Sequence, residues 1–116
     1  MSELDAALER LRGHAGVEHL VLLGRDGLVV QQSGGAGEAE AIAARVPGLA
    51  AAAQAIGRAA SRGGFATAVL EFRDGVAIVV NLSDELFLTA FLGPGVGFSA
   101  LLRELRHERD SLLDLL

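Results

Sequence analysis

The residues of this sequence that could carry chemistry are three histidines, scattered serines, two glycine-rich segments and a pair of arginines one helical turn apart. His14, His19 and His107 offer imidazole nitrogens. The chain has no Cys, however, and no two histidines stand at the one-turn spacing that a helical zinc site uses. They read as surface or packing residues. In Glu18-His19, near a strand start, successive side chains take opposite faces, so one of the two should face solvent. Ser61, Ser99 and Ser111 have no plausible His/Asp arrangement around them, and Glu71 and Asp74 fall at a strand end and a turn.

Gly93-Pro94-Gly95-Val96-Gly97 precedes a helix, where backbone amides could hold a phosphate. It has neither the Lys and Ser/Thr of a P-loop nor a Gly-x-Gly-x-x-Gly run, and reads as a tight strand-to-helix passage. Ser33–Gly37 is followed by Glu38 and Glu40, which suit a helix N-terminus and repel phosphate. Arg58 and Arg62 could be imagined beside a γ-phosphate, where an inserted arginine speeds GTP hydrolysis. Rim contacts, or solvation of a helix end, are the plainer reading. No set of residues reads as catalytic, cofactor-binding or metal-binding, so the chain is expected to work by binding other proteins.

Composition points the same way. A chain of 116 residues suffices for one domain over 1–116 with one core. Net charge is -5 without a basic block, and aromatics are 4%, all Phe, which argues against a nucleic-acid partner. Apolar runs such as Leu49–Ala53 and Val76–Val80 are far too short to span a bilayer, and Met1–Leu11 does not read as a signal peptide. No membrane insertion and a cytoplasmic location are expected. The hydrophobic share of 51% is high for a small domain, and part of it must lie on the surface, where an apolar patch marks an interface.

The elements that position these residues follow from periodicity. Ser2–Arg12 reads as a helix capped by Ser2, with Asp5 at the reciprocal capping-box position and Leu4, Ala7, Leu8 and Leu11 on one face. Val17–Leu23 and Leu28–Gln32 read as a hairpin turning at Arg25-Asp26-Gly27. Ser33–Gly37 reads as a flexible link. Glu38–Arg62 reads as a long Ala-rich helix, with Pro47 either kinking it or starting a second helix. Ala66–Phe72, Val76–Leu82 and Glu85–Leu92 read as antiparallel strands joined by short turns. A last helix runs from about Phe98 to Leu113, striped by Phe98, Leu101, Leu102, Leu105, Leu112 and Leu116. The order α-β-β-α-β-β-β-α predicts an α/β domain of the α+β kind, one five-stranded antiparallel sheet flanked by helices on both faces.

Within the middle helix, Ile42, Val46, Leu49, Ala53, Ile56 and Ala60 share one direction and are expected on the sheet. The opposite face carries Glu40, Ala44, Pro47, Ala51, Gln54, Ala55, Arg58 and Arg62. Its Ala centre would let another helix approach closely, so it is expected to contact a partner or a sister subunit.

The order and turns resemble a roadblock domain, the family of dynein light chains and small-GTPase regulators, with a profilin-like sandwich. The resemblance rests on Val17–Gln32 (Val-Glu-His-Leu-Val-Leu-Leu-Gly-Arg-Asp-Gly-Leu-Val-Val-Gln-Gln), the Ala-rich helix, the hairpin at Asp74-Gly75 and the strand-Gly-helix ending Leu88–Leu105. It implies a homodimer or heterodimer in which the middle helices pack together. The third strands, here Ala66, Thr67, Ala68, Val69, Leu70, Glu71 and Phe72, would then pair edge to edge. Bacterial members of the family imply a Ras-like small GTPase as partner. In the gliding-motility type the domain is a GTPase-activating protein that repositions the GTPase's own residues instead of inserting an arginine. The other reading the family implies is a scaffold with no effect on nucleotide turnover.

Overall fold

Ser2 caps the first helix: its hydroxyl accepts from the Asp5 amide and the Asp5 carboxylate accepts from the Ser2 amide. In the computed structural model, which describes residues 2–116, this helix is α1 (Glu3–Arg12). There follow β1 (Val17–Gly24), β2 (Val29–Gly34), α2 (Ala39–Ala59), β3 (Thr67–Phe72), β4 (Gly75–Asn81), β5 (Leu86–Leu92) and α3 (Ser99–Asp114). The order is the expected one. Ser33 and Gly34, expected in a link, instead complete β2, where Ser33 is buried and its hydroxyl meets Glu9 of α1.

The five strands form one antiparallel sheet in the order β2-β1-β5-β4-β3. The β1–β2 and β3–β4 hairpins sit at the outside, and the centre is a pairing of β1, the first strand, with β5, the last. Alternation of side chains gives the sheet two apolar faces. One face, with Leu20, Leu22, Ile78, Val80, Leu88 and Leu92, is covered by two helices through Leu8 and Leu11 of α1 and Leu101, Leu105 and Leu112 of α3. The other face, with Val21, Leu23, Val79 and Phe87, is covered by α2 alone.

Helix α2 runs unbroken through Pro47 and ends at Ala59, so Arg62 lies beyond it. The missing Pro47 amide costs one helical hydrogen bond but does not split the segment, because tertiary packing of the helix outweighs local propensity. Its sheet-facing residues correct the sequence expectation. Ala39, Ala43, Val46 and Ala50 are buried, whereas Ile42, Leu49 and Ala53 are only half-buried, Ile56 is 70% exposed and Ala60 is exposed. Alanines bring the helix axis close to the strands, and the larger aliphatics are left on its side.

The turn after β1 lies against α2: a side chain at Gly27, where φ is +83°, would touch the Ala43 carbonyl and Ala44. Positive φ is open to Gly at little cost, and the turn is closed by the Asp26 carboxylate accepting from the Leu28 amide.

Phe87 is the largest fully buried side chain under α2. Phe87→Ala is expected to lose about 3–5 kcal/mol in urea unfolding. Pro47→Ala, which restores a helical amide, is expected to raise stability by up to about 3 kcal/mol. A loss of stability in Pro47→Ala would show that α2 needs the proline.

Candidate partner-binding surface

Helix α2 has two flanks that nothing covers, and they differ in chemistry. At about 100° per residue, Ile42, Leu49 and Ile56 lie roughly 160° around the helix from Ala51, Ala55 and Arg58. Both sets lie to the sides of the stripe that meets the sheet.

The first flank borders β3. Ile42, Val46 and Leu49 of α2, with Leu70 and Phe72 of β3 and Phe91 of β5, line an apolar groove of about 290 Å³. Phe72 is 59% exposed at its rim. At the groove's floor the Thr89 hydroxyl is buried without a hydrogen-bond partner. Strand β3 is an edge of the sheet, hydrogen-bonded only to β4. Thr67, Ala68, Val69 and Leu70 are half-buried and Glu71 and Phe72 exposed, while Ala66 precedes the strand and its carbonyl accepts from the Asn81 amide.

The second flank borders the turns at the opposite end of the strands. Ala51, Gln54, Ala55 and Arg58 form one wall of a cleft of about 480 Å³, and Arg25 and Asp84 stand across it. Two amides stiffen its base. Gln54 accepts from the Phe65 amide at 2.7 Å, and Asn81 donates to the Phe65 carbonyl at 3.0 Å. The Arg25 side chain donates to the Asp84 and Ser83 carbonyls and holds its guanidinium 4.6 Å above the Phe87 ring. Arg58 makes no ion pair among the described residues.

The residues expected to meet a partner thus separate. Ala51, Gln54, Ala55 and Arg58 share the cleft, and Gln54 is half-buried because its side chain faces inward to Phe65. Glu40 and Ala44 are exposed nearer the start of α2, Pro47 is half-buried, and Arg62 is exposed past its end. Strand β3 belongs to the other flank, beside Ile42 and Leu49. Sequence reasoning missed those two and Ile56, because their apolar character assigned them to the sheet. It also missed Arg25 and Asp84, which local sequence marks only as turn residues.

The histidines are dispersed. His19 is 3% exposed, with Nε2 3.0 Å from Gln32 Oε1 and its ring beside Phe91, and Glu18 takes the solvent side. His14 is half-buried and His107 exposed. Among the described residues no three His, Cys, Asp or Glu side chains gather as a metal site would need.

Gln54→Ala would strand the Phe65 amide and loosen the base of the cleft. The expected result is a loss of about 1–2 kcal/mol and faster hydrogen exchange at Phe65 than in the wild type, measured by NMR. Unchanged exchange at Phe65 would show that the bond does not hold the loop.

The fold is shared with solved structures. Myxococcus xanthus MglB superposes with a TM-score of 0.87 at 14% identity, over 98% of this chain and 94% of that one. A Roadblock/LC7 domain from Streptomyces avermitilis gives 0.87 at 24% identity, over 97% of each chain. An MglB with a tetrameric arrangement gives 0.87 at 16% identity, over 97% of this chain and 86% of that one. No curated protein matches significantly by sequence. The Roadblock/LC7 domain pattern matches residues 3–91, most of the chain, and with the helix order and sheet topology above it places the chain in the Roadblock/LC7 domain family.

Proposed function

We propose that this chain is a dimeric protein-binding module that regulates or anchors a Ras-like small GTPase and performs no chemistry of its own. The observation that carries the reading is the pair of unlike, uncovered flanks of α2. The apolar flank, continuous with the free edge of β3, suits a second copy of the chain: Ile42, Leu49 and Ile56 meet their counterparts while the β3 edges pair. The polar flank, floored by Ala51 and Ala55, remains open to a different protein. Membership of the Roadblock/LC7 family supports the GTPase as that protein, and the tetrameric MglB of the same fold supports self-association.

As an activator the dimer acts by holding the GTPase in a productive shape, not by inserting Arg58 or Arg62. Arg58 stands in the last turn of α2, and Arg62 lies just beyond the helix end.

Two measurements test this. In sedimentation velocity the wild type is expected as a dimer at micromolar concentration. Phe72→Asp and Ile56→Asp should each weaken association roughly ten- to a hundredfold, the value of one large apolar side chain left in water. A wild-type monomer would refute the dimer. In multiple-turnover GTP hydrolysis with a Ras-like small GTPase from the same organism, saturating dimer should stimulate turnover. Arg58→Ala and Arg62→Ala should keep that stimulation within a few-fold. A loss on the order of a thousandfold would instead make one of them an arginine finger, and binding without stimulation would return the scaffold reading.

A further inference from the structure

The second flank of α2 is more than an open surface, because two arginines from separate elements, Arg25 and Arg58, line the same cleft. Arg25 is fixed before any partner arrives. Its Nε and one Nη donate to carbonyls of the β4–β5 turn, and the Phe87 ring lies under its plane. The other Nη makes no hydrogen bond among the described residues, so one edge of the guanidinium is still available. Arg58 faces the same cleft from the last turn of α2 and is without an ion-pair partner among the described residues. Between them the helix presents the methyl groups of Ala51 and Ala55, with the Gln54 side chain turned inward to Phe65, which leaves room for a side chain to enter.

We propose that this cleft is where the partner GTPase docks, and that it receives an aspartate or glutamate side chain of that partner between Arg25 and Arg58. The inference rests on the GTPase reading above and adds the residues that recognise it. Charge complementarity selects the occupant. The chain as a whole is acidic, at -5, yet this cleft brings together two guanidinium groups and one carboxylate, that of Asp84. An acidic partner is therefore repelled by most of the surface and attracted here, which fixes its orientation. Asp84 limits the site to a single negative charge: a second carboxylate or a phosphate dianion would meet it directly. A preorganised arginine loses little side-chain freedom when it pairs, which makes Arg25 the anchor and Arg58 the closing contact.

The test is binding of a Ras-like small GTPase from the same organism, loaded with GDP or a GTP analogue, by calorimetry at two salt concentrations. Arg58→Glu reverses one charge, and Ala55→Glu places a carboxylate in the floor of the cleft. Arg103→Glu, on exposed α3, is the control. Each variant is first shown to remain folded and dimeric by circular dichroism and light scattering. Arg58→Glu and Ala55→Glu are expected to raise Kd at least tenfold, and Arg103→Glu to leave it within twofold. The salt dependence of binding should be shallower in Arg58→Glu. An Asp→Arg or Glu→Arg change on the GTPase that restores binding to Arg58→Glu would identify the entering residue. If the wild type binds the GTPase and both cleft variants bind within twofold of it, the inference is overturned and the GTPase reading stands. If the wild type binds neither nucleotide form, the GTPase reading falls and the occupant proposed here falls with it.

Discussion

One helix cannot cover one face of a five-stranded sheet. Five strands at about 4.8 Å spacing span about 19 Å from first axis to last, and a helix with its side chains is about 10–12 Å across. On one face the chain meets this with two helices, α1 and α3. On the other it has α2 alone, lying nearest β1 and β2, and the strip along the β3 edge is left only partly covered. The exposed Phe72, the half-buried Leu70 and the apolar side of α2 all follow from that shortage of cover. The uncovered apolar strip is what remains when the arithmetic of layers does not close within a single chain.

How α2 sits on the sheet decides the rest. Its contact stripe is Ala39, Ala43, Val46 and Ala50, residues that contribute little area but permit a close approach. The closeness turns Ile42, Leu49 and Ile56 sideways toward β3 and brings Ala51, Gln54, Ala55 and Arg58 against the turns. The two flanks therefore have different neighbours for a geometric reason. One looks along the sheet to a strand edge, where backbone groups wait for a second strand. The other looks across to polar turns, where Arg25 and Asp84 stand.

The architecture was legible in the sequence because the elements carry their own period and punctuation: the Ser2–Asp5 box, the Asp-Gly turns, and the short apolar runs of β4 and β5 joined by short turns. Strand ends moved by a residue or two. The free edge of β3 was legible only through family resemblance. The orientation of α2 was not legible, for a physical reason. A helix can seat small residues on its own core and carry its larger apolar side chains on a flank, so its largest side chains need not be on the inner side. Periodicity weighs Ile and Leu above Ala, so it pointed to the flank. The cleft was half legible: the helix contributes Ala51, Gln54, Ala55 and Arg58, but Arg25 and Asp84 reach it from turns distant in sequence, and no local pattern joins them.

The pairing at the centre of the sheet has a temporal side. Val21 lies beside Thr89 and Leu23 beside Phe87, so the strand that completes the middle is the last of the five to be made. Until then the β1–β2 hairpin and the β3–β4 hairpin are separate ribbons, each too narrow to hold a core on its own. Folding must await the closure of a very long loop, which slows it relative to chains whose contacts are local. A nascent chain emerging from the ribosome therefore carries its apolar strands unassembled until β5 is free to lock against β1.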